Sequence, residues 1–276
     1  MIFQRFFRKR INAKIGALLL SFFIIAALIG TIATPYDPVL MDIRARLKPP
    51  SSEHWFGTDQ FGRDILSRLL VGARESLTIS FMSVLCALGL GVTIGAASGY
   101  RGGSFDRGTM AVLDAVMAFP GLLLALGIIA VAGPGKWGVV TALGLAYTPG
   151  ITRVVRSTVL SLREREFIDA SRALGNSDTF TLLRHVVPNC MTPVIVMGTS
   201  LFATALLSES ALAFLGLGVP PPNPTWGGML AESKQFASTA IWIAIFPGVA
   251  ISLTLLGTNL FGDALRDHLD PRMNGQ

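Results

Sequence analysis

Charge is scarce in this sequence. Only 14% of its 276 residues are Asp, Glu, Lys or Arg, against about 25% in an ordinary soluble domain. Cysteine is scarcer still. Cys86 and Cys190 lie at or inside apolar runs, read as small buried hydrophobes, and give no disulfide framework. The three histidines, His54, His185 and His268, have neither an i,i+4 partner nor a cysteine companion, so no metal site is legible. No Gly-x4-Gly-Lys-Ser/Thr loop occurs. Gly133-Pro134-Gly135-Lys136 comes nearest and has the wrong spacing, which excludes nucleotide binding by that route. His-Glu-x-x-His is missing, and Ser and His do not meet inside an apolar run, which argues against an intramembrane hydrolase. A charge pair at the middle of a run is missing too, which argues against a stand-alone secondary transporter.

What the chain has is apolar length. Hydrophobic residues make up 51% of it. Six runs, at about 15–33, 77–98, 109–131, 138–155, 191–214 and 240–261, approach the roughly 20 residues that a helix needs to cross a bilayer. The expectation is an all-α integral membrane protein with six transmembrane helices. Its divisions are a cytoplasmic segment 1–14 and one six-span domain over 15–276. The first run is too long for the core of a signal peptide, whose apolar part is roughly 7–15 residues. It reads as a retained first span.

The net charge of +6 invites a nucleic-acid partner. The basic residues cluster beside the apolar runs rather than on one soluble face, so orientation in membrane lipid explains them better. With the N-terminus in the cytoplasm, fifteen of the 23 Lys and Arg fall inside and eight outside. The first outer loop carries six of those eight, so the bias is real but modest. Inside the runs lie two carboxylates, Asp114 and Glu209, each near an end. Carboxylates at membrane depth are costly and often mark a pathway, so both are candidate pathway residues. The plain alternative is that each meets water or a neighbour's backbone.

The most informative polar stretch is 161–189. Phe167, Ala170, Ser171 and Leu174 follow an i, i+3, i+4, i+7 pattern and predict one face of a short helix. Gly175 stands where a helix ends on a residue with positive φ. Ser177 then suits the cap of a second short helix through Phe180, Leu182 and Leu183, with Asp178 at its positive end. Pro188 marks the boundary to the next apolar run.

Asp169-Ala170-Ser171, three residues, Gly175, nine residues and His185-x-Val187-Pro188 resemble the EAA loop of bacterial ABC-importer permeases. The departures are Asp for Glu, Ser for the second Ala and His for Ile. Further stretches are similar to the C-type subunit of the dipeptide/oligopeptide/nickel permease family. They are Pro35-Tyr36-Asp37-Pro38, the Gly57-Thr58-Asp59-Gln60-Phe61-Gly62-Arg63-Asp64 segment, Phe119-Pro120, Ser210 to Gly218, Trp226-Gly227, and the tail from Gly262-Asp263 to Asp270-Pro271. Read from its residues alone, the segment from Gly57 to Asp64 is equally a glycine-rich turn that caps a following helix, and Asp59 with Asp64 a weak metal reading.

The resemblance implies a type I importer permease fold in the bacterial cytoplasmic membrane, with both termini in the cytoplasm. It implies that Phe167, Asp169, Ala170, Ser171, Leu174, Gly175 and Pro188 belong to a loop that docks on cytoplasmic ATPases. The implied partners are a homologous B-type permease, two ATPase subunits and an extracytoplasmic substrate-binding protein. Gln60 and Asn223 would face that protein. This chain would bind no cofactor, since ATP and Mg would sit on the partner ATPases. The solute would be a di- or oligopeptide, with nickel or another small solute as the alternative.

Overall fold

The computed structural model describes residues 11–269. The basic residues Arg5, Arg8, Lys9 and Arg10, and the terminal Asp270-Pro271, lie outside the described residues, as does most of the 1–14 segment.

The described residues are helical, without a strand. The helices are α1 (Ile11–Ile32), α2 (Ile65–Arg101), α3 (Gly103–Met117), α4 (Gly121–Ala132), α5 (Lys136–Arg163), α6 (Glu166–Ala173), α7 (Asp178–Thr181), α8 (Val187–Phe214), α9 (Trp226–Ser233) and α10 (Trp242–Leu269). A π-turn, Leu182–Val186, joins α7 to α8. Five helices have the length and composition to cross a membrane, and the α3–α4 pair makes a sixth crossing if counted together.

That pair corrects one expectation. The run 109–131 does more than kink at Phe119-Pro120: its two helices meet at 93°. Pro120 has no N–H to continue a helix and disfavours a helical Phe119, so helical bonding stops there. α3 also starts at Gly103, inside the stretch expected to be a turn. The turn shrinks to Gly102 and Gly103, both at positive φ. Two further boundaries move. α2 begins at Ile65 rather than near 77, because Asp64 caps it by accepting from the Ser67 N–H. The segment 262–267 continues α10 rather than opening a tail.

Pro188 is a further correction. It sits in the first turn of α8 rather than at a break, and the chain runs through it from α7. The π-turn makes this possible. Val187 N–H donates to Leu182 O, one residue further back than in an α-helix. The Asn189 side chain donates to His185 O at 2.6 Å and so occupies a carbonyl beside the proline.

α2 and α5 form the most extensive helix pair. Gly91, Gly95 and Gly99 line the contact at four-residue intervals. A Cβ at Gly95 would stand 2.6 Å from the Thr152 carbonyl, so only glycine permits this approach. Around the pair are two apolar clusters. One, with Ile151, Val155, Ile168, Val186 and Cys190, lies towards the 164–186 loop. The other, with Ile79, Ile129, Leu143 and Leu212, lies towards the opposite end. α1 closes the side of the bundle against α2 and α10, with Phe23 edge-on to Trp226 at 5.4 Å.

Candidate functional site

The two ends of the bundle are built differently. At one end, the 164–186 loop folds into α6, a turn and α7. Gly175 has φ +80°, with open space around it, so the requirement for glycine is conformational. Ser177 Oγ caps α7 by accepting from Phe180 N–H, and Asp178 opens that helix.

The faces of α6 differ from the sequence pattern. Phe167, Ala170 and Leu174 are exposed, Leu174 at 83%. Ser171, expected beside them, turns inward instead. Its hydroxyl pairs with Thr181 Oγ1 at 3.0 Å and accepts from Asn176 Nδ2 at 3.2 Å. Ile168 is buried next to it and anchors α6 in the core. A four-residue stripe on an eight-residue helix straddles the boundary between the two faces. Ile168, three positions before Ser171, was the local signal for the buried side. Asp169 is exposed, with Arg172 at 3.9 Å. Phe180 and Leu183 extend the exposed apolar surface across the turn. Pro188, further along, is exposed at the start of α8.

Behind the loop, Tyr100 near the end of α2 donates its hydroxyl to Asp178 Oδ1 at 2.8 Å. Arg172 lies over the Tyr100 ring at 5.5 Å and donates to its hydroxyl at 3.4 Å. That hydroxyl, with Asp178 and Asp169 nearby, holds the Arg172 guanidinium above its ordinary pKa. Arg163 donates to the Tyr100 carbonyl at 3.2 Å. One turn away, Asp106 accepts both Arg156 Nε and Nη2 at 2.5 Å, and the Ser98 hydroxyl as well. Apart from Ser98 and Asp106, eight positions apart, these partners are distant in sequence, and no spacing rule brings them together.

At the other end, the segment from Gly57 to Asp64 is a knot of buried charge. Asp59, Arg63 and Arg68 are each at most 2% exposed. Arg63 bridges Asp59 at 2.6 Å and Glu232 of α9 at 2.5 Å. Arg68 donates to both Glu232 oxygens at 3.0 and 3.1 Å. Asp64 caps α2 and pairs with His54 Nδ1 at 3.0 Å. Both carboxylates are thus occupied by cations and N–H groups. Among the described residues, no group of three or more His, Cys, Asp or Glu is placed to hold a metal. Gln60, expected on the open surface, is half-buried and donates to Glu232 at 3.3 Å. Asn223 is exposed, next to the cis Pro221-Pro222 bond.

The two candidate pathway carboxylates part company. Asp114 stands exposed on α3 and accepts from Arg153 Nη2 at 2.6 Å. Glu209 is fully buried on α8, beside Ser76, Ser210 and Thr225, with one oxygen unpartnered. It lines no open cavity here. The ends of α2, α8 and α9 meet around it, where Trp226 N–H donates to Ser76 Oγ at 3.1 Å.

Residues 91–275 match the family described as binding-protein-dependent transport system inner membrane component. A putative peptide transport system permease protein of Brucella suis is 45% identical over 98% of this chain and 90% of its own length. The dipeptide transport system permease protein of Alkalihalophilus pseudofirmus is 43% identical over 96% of this chain and 88% of its own. The glutathione transport system permease protein of Escherichia coli O1:K1 is 40% identical over 99% and 90%. Among solved structures, a chain of the MetNI methionine ABC transporter in inward-facing conformations superimposes with a TM-score of 0.58. It is 16% identical and covers 72% of this chain and 94% of that one, a likeness of fold.

Proposed function

The chain belongs to the family of binding-protein-dependent transport system inner membrane components, and on that footing we propose that the importer it serves carries di- or oligopeptides. As a permease subunit of an ABC importer it performs no chemistry itself, and ATP is hydrolysed on partner subunits. The names of the relatives, peptide, dipeptide and glutathione permeases, support a peptidic solute. In this reading a B-type permease completes the pathway, two cytoplasmic ATPases bind ATP and Mg, and an extracytoplasmic binding protein delivers the solute. Both termini and the 164–186 loop then lie in the cytoplasm, and the Asp59–Glu232 knot and Asn223 lie outside.

One observation carries the docking role of the loop. Phe167, Leu174, Phe180 and Leu183 expose apolar surface on an otherwise polar loop whose other face is fastened inside the bundle. An exposed apolar patch rimmed by polar residues marks a surface for another protein. ATP binding would draw the ATPases together, move the docked loops and open the spans outward; nucleotide release would reverse it. Such a switch biases a bistable element by differential binding.

Leu174→Asp places a charge at the centre of this patch while leaving Ile168 and Ser171 in place. The variant is expected to reach the membrane at normal abundance and to lose the ATPases on affinity purification. Retention of the ATPases at normal stoichiometry would refute docking through this face. Binding-protein-dependent uptake of a radiolabelled dipeptide, set against uptake of nickel, tests the solute class.

A further inference from the structure

Tyr100 occupies a position the family reading leaves without a role. It is buried in the apolar cluster that also holds Ile168 and Val186, so a phenylalanine would fill the same space. Its hydroxyl does something a ring alone cannot. It donates to Asp178, the first residue of α7, while Arg172 of α6 lies across the ring and reaches the same oxygen. These two residues stand on either side of Gly175. One side chain of α2 therefore holds both halves of the loop, across its bend. Both side-chain hydrogen bonds that link the loop to α2 end on Tyr100. The Tyr100 carbonyl is held in turn by Arg163, at the end of α5.

The apolar anchors Ile168 and Val186 keep the loop against the bundle but fix no direction, because burial is non-directional. A hydrogen bond to a carboxylate fixes a direction. α2 is unbroken over 37 residues, about 55 Å of helix. It starts at Asp64, in the buried knot at the far end. We propose that Tyr100 is a positioning residue for transport: it registers both halves of the loop to the end of α2, so that displacement of the loop is carried along that helix to the knot. The proposal rests on the loop being the ATPase-docking element. It adds which residue passes the movement on.

The test uses the complete importer with its binding protein, reconstituted in proteoliposomes. Two quantities are read: radiolabelled dipeptide taken up per ATP hydrolysed, and stimulation of hydrolysis by loaded binding protein. Tyr100→Phe and Asp178→Ala should each lower both by about three- to tenfold, with ATPase subunits present at wild-type stoichiometry. The double variant should fall no lower than Tyr100→Phe alone, because that change already removes the bond to Asp178 together with the one from Arg172. Asp178→Asn keeps an acceptor for the hydroxyl and should restore most of the ratio. A residue that merely filled space would leave these ratios unchanged. Wild-type ratios in Tyr100→Phe would overturn the proposal, as would losses that multiply in the double variant. Loss of ATPase subunits from Tyr100→Phe would overturn it as well, since Tyr100 would then shape the docking face. The outcome for Leu174→Asp separates the two readings. If that variant keeps its ATPases, the docking reading fails and this proposal with it. If it loses them while Tyr100→Phe transports at the wild-type ratio, only the role of Tyr100 falls.

Discussion

The knot around Asp59 and the loop around Gly175 sit at opposite ends of α2 and invert each other. In the knot, charges are paired with one another within one chain: buried Asp59, Arg63 and Arg68 meet half-buried Glu232, and Arg68 Nη1 is left without a partner among the described residues. In the loop, four large apolar side chains, Phe167, Leu174, Phe180 and Leu183, face outward among exposed charges, while the hydroxyls of Ser171 and Thr181 are turned in. A region that closes on itself serves the stability of its own chain. A region that leaves Leu174 and Leu183 uncovered is completed by something else. The two ends should therefore fail in different ways when damaged.

The largest effect should come from opening the knot. Asp59→Ala leaves Arg63 and Arg68 sharing Glu232 alone, and breaking a buried pair in this way costs on the order of 3–5 kcal/mol. The expected result is a sharply lower melting temperature of the purified chain in detergent and reduced abundance in the membrane. Wild-type melting would show that the knot is not what secures that end.

Gly175→Val comes next and should separate folding from work. A β-branched residue at φ +80° is strained by roughly 1–2 kcal/mol. Space around Gly175 is open, so the strain has no clash added to it. The chain should remain in the membrane while ATP-driven uptake and substrate-stimulated hydrolysis fall steeply. Abundance and vesicle transport, measured together, check this. Uptake at the normal rate would remove the bend of the loop from the mechanism.

The mildest test leaves both regions intact. A photocrosslinker at Asn223, which is exposed, should capture the binding protein. One at Gln60, whose amide points to Glu232, should capture little. Equal yields would mean that the knot opens in the working complex.

The sequence was most legible where one residue decides a conformation. Gly175 at positive φ and Ser177 as a cap follow from local chemistry. The apolar runs follow from composition, and the resemblance to importer permeases follows from the spacing of the loop motif. It was least legible where the outcome depends on a partner distant in the chain. Gln60 reads as a surface residue until Glu232, 172 positions away, is placed beside it. Ser171 reads as part of an outer face until Thr181 and Asn176 draw it inward. The start of α2 reads as polar loop because Arg68 looks too hydrophilic for a helix entering a membrane. Its carboxylate partner, Glu232, lies 164 positions away. Pro120 marks where the run 109–131 breaks, but a single proline does not set how wide the angle between α3 and α4 becomes.

That angle bears on how the protein must be made and kept. α4 has 12 residues, about 18 Å of helix, and a bilayer core is about 30 Å thick. Neither limb of the bend crosses alone. Residues 117–123 at the corner are exposed, and Pro120 begins α4 without a side-chain acceptor for the N–H groups behind it. At membrane depth backbone of this kind is tolerated only against protein or beside a water-filled cavity, so the corner is unsuited to face lipid. A copy whose corner met lipid would carry these unpaired backbone groups at a cost in stability. Whatever covers the corner in the assembled importer would then stabilise the chain by mass action.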